Sequence, residues 1–251
     1  MGSGAAAGVA VVEPLRIFGA GVAGHLVGDL VRWQLSDRYF VDGYYDDART
    51  PGSAGPGGIR VIGTVAQGVE DIAGGEAVPF VALGTLARAA ACRLLVRLRE
   101  RRVEPVSLVA GDAHVSPSAQ LGPNALVFPG AVIGAEVTAG ALLTALPGSI
   151  LEHHGRVGDD VVVASGATIA GFVRLSSHSF VGLGASVLPG SDVGTGSLLG
   201  GGSTLVSQLP AHSVAFGSPA RVVRETRKGD ETPTREEIAA IELDGFPAAH
   251  P

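Results

Sequence analysis

From Val115 a branched apolar residue returns every sixth position, through Leu121, Val127, Ile133, Leu151, Val157, Val163 and Ile169 to Val193, Leu199 and Leu205. Of the sixteen positions in this frame only Ala139 and Ala145 are not Val, Leu or Ile. Those three types fill roughly a quarter of the chain, so a chance frame would give about four matches. Four residues after each start sits a mostly small residue, among them Ala119, Ala125, Ala131, Ser149, Gly155, Ala167, Ser179, Ala185, Ser191, Ser197 and Ser203. A six-residue period predicts a parallel β-helix, each hexapeptide making one short strand and one corner, and three hexapeptides closing a triangular coil of eighteen residues. Stacked coils would bury the branched residues against one another. An all-β sandwich would instead alternate with period two and lose its frame between strands.

The chain before this frame follows another rule. Leu15–Phe18 reads as a strand that runs into Gly19–Ala20–Gly21–Val22–Ala23–Gly24, followed by a helical pattern from His25 to Leu35. A second strand is expected over Tyr39–Tyr45, a short strand over Arg60–Ile62, a short helix over Val65–Ile72 and a strand over Val78–Leu83 ending at Gly84. A basic helix over Thr85–Arg102 and a last strand over Val106–Ala110 lead into the solenoid. This order predicts a small parallel sheet with helices on both faces. Four segments follow: a flexible N-terminus over 1–14, a Rossmann-like domain over 15–112, the β-helix over 113–224, and a charged tail over 225–251. In the tail, Thr234–Arg235–Glu236–Glu237 makes a capping box for a short helix to about Leu243.

Composition sharpens the picture. The 38 glycines are about twice the usual share, while Phe, Tyr and Trp number 8, 3 and 1. Corners of a narrow coil consume glycine and leave little room for rings. A net charge of -6 gives no general reason to bind nucleic acid or an anionic membrane. The single cysteine, Cys92, excludes an intramolecular disulfide and suits a reducing, cytoplasmic setting. The apolar runs are too short and too broken to span a bilayer.

In the glycine loop, the first glycine permits a tight turn, the second lets a phosphate approach the backbone, and the helix start supplies N–H groups. Asp46 and Asp47 end the next strand, where a ribose hydroxyl is expected. About 100 residues suffice for a mononucleotide-binding half and scarcely for a full dinucleotide fold, which favours a nucleotide-sugar over NAD.

A Rossmann-like domain followed by an uninterrupted hexapeptide solenoid resembles the NeuD/PglD-like sugar O-/N-acetyltransferase family, over about residues 15–224. The pieces that carry the likeness are Ile17–Phe18–Gly19–Ala20, Tyr45–Asp46–Asp47, Phe80–Gly84, Ile150–Leu151–Glu152–His153, Ala164–Gly171, Val187–Leu188–Pro189, Leu199–Ser203 and Gly217–Arg221. The resemblance implies a left-handed β-helix that binds acetyl-CoA, an N-terminal domain that binds a nucleotide-linked amino sugar, and a homotrimer with its sites between neighbouring solenoids. It implies His153 as catalytic base and Gly171 as a backbone donor near the thioester oxygen. Leu183, Gly201, Ala170 and Pro219 fall on acetyl-CoA positions, and Gly19, Ala20, Gly21, Asp46, Asp47 and Gly84 on the nucleotide side. No metal is implied.

The residues carry their own reading of that site. In an eighteen-residue coil His153 stacks between Ala135 and Gly171, two positions without bulk, leaving room beside an imidazole; Leu183 and Gly201 share another column. A neutral imidazole suits proton removal from an attacking amine near pH 7. Departures also touch the ligands. His154 stands where the family has an acidic residue, and Glu136, eighteen residues earlier, is expected to stack beneath it as a Glu136–His154 pair. Val162 replaces a second family histidine, Ala145–Ser149 replaces a polar run before the base, and Val22–Ala23 replaces a common Gly-His pair. Glu152, as a strand neighbour of the base, is expected to point the opposite way. The acceptor is read as an amine, with a sugar hydroxyl, or an impaired scaffold that only binds nucleotide-sugar, as the alternatives.

The other histidines read more plainly. His178 stacks over Asp160 as an exposed ion pair, His25 lies in the first turn of the helix after the glycine loop, and His114, His212 and His250 read as surface residues. Cys92 has no reason to act as a nucleophile.

Overall fold

The structure, a computed structural model, describes residues 12–84, 87–227 and 230. The expected helix of 234–243 lies outside them. The first domain runs β1 (Glu13–Phe18), α1 (Val22–Gln34), β2 (Tyr39–Tyr45), β3 (Val61–Gly63), α2 (Val65–Ile72), β4 (Val78–Val81) and α3 (Arg88–Glu100). Its four parallel strands have the order β3-β2-β1-β4. The expected helices cover both faces: α1 buries Val27, Leu30 and Val31 against Leu15, Ile17, Tyr44 and Phe80. On the other face α2 and α3 bury Val69, Ile72, Leu95 and Leu98 against Phe18, Tyr45 and Val81. Strand order reverses between β1 and β4, the place where α/β sheets open a crevice for ligands.

Among the boundaries that move, three bear on the architecture. Glu13 and Pro14, expected in a flexible leader, already pair with Tyr39 and Phe40. Helix α1 begins at Val22 because Gly21, in extended backbone, serves as its N-cap. The expected strand 106–110 shrinks to Leu108–Val109 and pairs with Leu126–Val127 of the solenoid, leaving the first sheet with four strands.

The solenoid is a parallel β-helix of two-residue strands, and the second residue of each strand from His114–Val115 to Thr204–Leu205 is the six-residue frame. Successive rungs pair eighteen residues apart, as in Thr138↔Arg156↔Arg174. Three sheets result, of six, eight and six strands. They form the sides of a prism, with the frame residues and small Ala and Ser positions filling one continuous core. This is the expected coil, and its first domain and solenoid together match the fold class read from the sequence. The frame slips after Leu205, and an antiparallel hairpin of Ser213–Gly217 and Ala220–Glu225 closes the eight-stranded sheet.

The three sides differ chemically. The eight-stranded side is apolar and carries the first domain: Leu126 and Phe128 join the core of α1 and β4, while Ala141 and Leu142 join that of α3. Asn124, buried, ties the seam by accepting from the Val81 N–H at 2.7 Å and donating to the Val81 carbonyl at 3.0 Å. Of the six-stranded sides, one turns Thr138, Arg156, Arg174 and Asp192 outward, and we call it the charged side. The other turns outward the uncharged Val132, Ile150, Thr168, Ser186 and Thr204, all half-buried, and we call it the neutral side.

Candidate active site

His153 and His154 occupy the turn between Ile150–Leu151 of the neutral side and Arg156–Val157 of the charged side. That edge of the prism lies opposite the side on which the first domain sits. Both histidines are exposed. The His153 ring lies on the backbone of the next coil: a Cβ built on Gly171 would run into its Cε1 and stand 2.7 Å from its Nε2. Gly171 is therefore glycine because the imidazole takes the space of its side chain, so the room expected beside the ring is filled by the ring itself.

Around His153 the structure corrects two expectations. Glu152 lies at the corner, where strand alternation no longer holds, and its Oε2 accepts from the Gly171 N–H at 3.0 Å. The donor expected to face a thioester oxygen is thus engaged by a carboxylate that must turn away before an oxyanion is held there. The Glu136–His154 pair does not form. Glu136 shares the column and the left-handed backbone of His154 but makes no hydrogen bond or ion pair with it. Instead His154 Nδ1 lies 3.2 Å from His153 Nδ1. Phe172, one coil further on, stacks on the His154 ring at 4.8 Å and 25° and meets the His153 ring edge-on at 5.2 Å and 83°. Phe172 was not singled out from the sequence, although its place eighteen residues after His154 was the available signal.

The positions expected to contact acetyl-CoA do not all join His153. Ala170 borders the His153 edge, whereas Leu183 and Gly201 lie on the next edge, between the neutral and the eight-stranded sides, and Pro219 lies in the closing hairpin turn. Leu183 and Gly201 do share a column, since a Cβ on Gly201 would meet the Leu183 carbonyl oxygen at 3.2 Å. Exposed apolar side chains mark both edges of the neutral side: Phe172 (63% exposed), Leu188 and Val206 on one, Leu183 (63%) and Phe216 on the other.

The residues expected on the nucleotide side gather at the carboxyl ends of the first domain's strands. Gly19 has a φ of +112° and no space for a side chain against Ala82, and Gly24 lies against the Gly19 carbonyl, while Gly21 and Gly84 face open space. Asp46 Oδ2 accepts from the Ala20 N–H at 2.7 Å and its Oδ1 from the Ala48 N–H at 2.8 Å. Asp47 Oδ1 accepts from the Val65 N–H at 2.9 Å. Both carboxylates therefore shape the loops around the crevice as well as lying beside it. Next to Gly84 a cavity of about 320 Å³ runs between the start of α1, the end of β4 and the solenoid, lined by Val22, Leu26, Phe128, Leu146 and Val162.

His178 and Asp160 form the expected pair, His178 Nδ1 to Asp160 Oδ2 at 2.8 Å, yet the pair is buried. Helix α3 covers it, and Arg88 donates from Nε to Asp160 Oδ1 at 3.0 Å and bonds the Asp160 and Ser179 carbonyl oxygens as well. Cys92 completes this cluster, the one group among the described residues whose side chains bring three metal-ligand atoms together. Asp160 is already committed to Arg88 and His178. Burial, reinforced by Asp160, pushes the Cys92 thiol far up, against any nucleophilic use.

The fold and this exposed edge define a hexapeptide-repeat β-helix joined to a Rossmann-like domain, the architecture of sugar acetyltransferases. The acetyltransferase domain of PglB from Neisseria gonorrhoeae, solved with acetyl coenzyme A, superposes with a TM-score of 0.76 and 25% identity, over 85% of this chain and 100% of that one. PerB from Caulobacter crescentus, solved with CoA and GDP-perosamine, gives 0.76 and 25% over 85% and 99%. WeeI from Acinetobacter baumannii shares the fold at 0.70 and 21% identity. Among curated proteins, one from Staphylococcus aureus (strain COL) bearing a provisional acetyltransferase name is 41% identical over 56 residues. That match spans 22% of this chain and 28% of the relative's length. No family model matches the chain. The chain is thus similar, over most of its length, to sugar N-acetyltransferases of the hexapeptide-repeat type.

No described helix is long and apolar enough to cross a membrane.

Proposed function

We propose that the protein transfers an acetyl group from acetyl-CoA to the amine of a nucleotide-linked amino sugar, with His153 as general base. The observation that carries this reading is His153 itself, an exposed imidazole seated on the Gly171 backbone at an edge of the solenoid. Its Nδ1 faces His154, which leaves Nε2 for substrate. The amine nitrogen attacks the thioester carbon and passes a proton to Nε2. The tetrahedral intermediate then collapses with cleavage of the C–S bond, and the leaving thiolate takes the proton back. Holding amine and thioester together supplies much of the remaining acceleration. Similarity over 85% of the chain to the acetyltransferase domain of PglB, solved with acetyl coenzyme A, and to PerB, solved with CoA and GDP-perosamine, supports the choice of donor and of acceptor class.

The site is shared between copies of the chain. Within one copy, His153 and the Leu183–Gly201 column lie on different edges, and the first domain's crevice lies across the prism from His153. A closed trimer that sets the neutral side of each solenoid against its neighbour brings unlike edges together and covers Phe172, Leu188, Leu183 and Phe216. The nucleotide would lie at Gly21, Asp46, Asp47 and Gly84, with Gly19 and Ala20 holding the turn.

The test is release of free thiol from acetyl-CoA by purified protein offered UDP-, dTDP- and GDP-linked amino sugars and their hydroxyl counterparts. Turnover with an amino sugar, lost in His153→Asn, is expected. Turnover with hydroxyl sugars alone would reassign the acceptor. Nucleotide-sugar binding without turnover on any acceptor would make the protein a scaffold.

A further inference from the structure

We infer that His154 is a positioning residue that fixes the proton on His153, doing with a neutral ring what a carboxylate would do at that place. This rests on the reading of His153 as base. Two Nδ1 atoms at 3.2 Å form a hydrogen bond only if one carries hydrogen and the other a lone pair. When His153 Nδ1–H donates to His154 Nδ1, His153 Nε2 keeps its lone pair and accepts the amine proton. In the opposite arrangement Nε2 carries hydrogen and the base is blocked. Proton uptake at Nε2 leaves His153 positive, and its Nδ1–H then makes a charge-assisted bond to His154, stronger than the bond between neutral rings.

The surroundings hold His154 for this task. Its N–H donates to the Ala135 carbonyl at 2.8 Å, which fixes the corner above. Phe172 lies against the ring face, and the Phe172 N–H donates to the His153 carbonyl at 3.1 Å, which fixes the corner below. Stacking leaves the edge of the His154 ring, with Nδ1, turned toward His153. The charged groups along this edge are Glu152, bound to the Gly171 N–H, Glu136 one coil away, Arg156, which donates to Thr138 Oγ1 at 3.1 Å, and Arg174. None of them bonds either ring, so they set a common background that single changes at His154 leave in place.

Backbone geometry supplies clean variants. His154 has a φ of +57°, where glycine and asparagine are both comfortable, so neither change strains the corner. His154→Gly removes the acceptor, His154→Asn keeps an acceptor oxygen near the Nδ1 position, and His154→Asp installs the carboxylate. With all three melting as the parent does, kcat for acetyl transfer is expected to fall about tenfold in His154→Gly, a fraction of the ~10²–10⁴ that a general base contributes. It should recover most of that in His154→Asn, with KM for acetyl-CoA unchanged throughout. The acid limb of the pH–rate profile should move to lower pH in His154→Gly and to higher pH in His154→Asp. If kcat and the acid limb stay at parent values in His154→Gly while His153→Asn is inactive, the positioning role is wrong and the base stands. If His153→Asn keeps full activity, the base reading itself falls.

Discussion

Asp160 and His178 on one edge of the prism and His154 on another share one backbone conformation, with φ of +53°, +63° and +57° at the same place in the repeat. Their fates diverge because of what lies over each edge. Helix α3 covers the first and sinks His178 and Asp160 into a buried network with Arg88. No described element covers the second, and its histidines stay exposed, joined to each other through their Nδ1 atoms. The repeat sets the corner, and the neighbouring element decides whether a histidine there is buried in the fold or left exposed for the chemistry proposed for it.

Substitutions on each edge should separate those roles. His153→Asn is expected to lower turnover by about 10²–10⁴ and leave thermal unfolding where it was. Arg88→Ala should do the reverse: it strands Asp160 without its buried guanidinium and costs about 3–5 kcal/mol in denaturant unfolding, with turnover per folded molecule retained. If Arg88→Ala removed activity at full stability, the contrast between the edges would collapse. Gly171→Ala tests the seat of the base. The Gly171 backbone is not left-handed, so the obstacle is the imidazole, and relief of about 1–3 kcal/mol of crowding by turning the ring away should cost roughly tenfold in kcat. Glu136→Gln should change kcat and the pH profile little, since Glu136 does not reach His154.

Much of this was legible in the chain, unevenly. The six-residue frame located the second residue of every strand from Val115 to Leu205, because a stacked coil repeats its burial without interruption. Val109 lies six residues before Val115, so the same count could have found the first rung. Tyr39–Tyr45 and Val65–Ile72 came out at their observed bounds, and the structure opens the latter with a Thr64–Gln67 capping box. Column arithmetic placed His153 over Gly171 and Leu183 over Gly201. It paired Asp160 with His178 but missed their burial, which depends on Arg88, 72 residues away and on another element. The Glu136–His154 pairing failed for a related reason: sharing a column sets proximity, and side-chain direction at a left-handed corner is a separate matter. Glu152 was misjudged by carrying strand alternation into a turn.

The central claim is that the base on one copy serves donor contacts on the next. It is tested most directly by mixing two inactive variants, His153→Asn and Leu183→Glu, under conditions that let copies exchange, and following thiol release from acetyl-CoA with an amino-sugar acceptor. Mixed assemblies contain interfaces with an intact His153 on one side and an intact Leu183 on the other, so activity should return on mixing. If each variant alone is inactive and their exchanged mixture stays inactive as well, base and donor contacts belong to one copy and the shared site is contradicted.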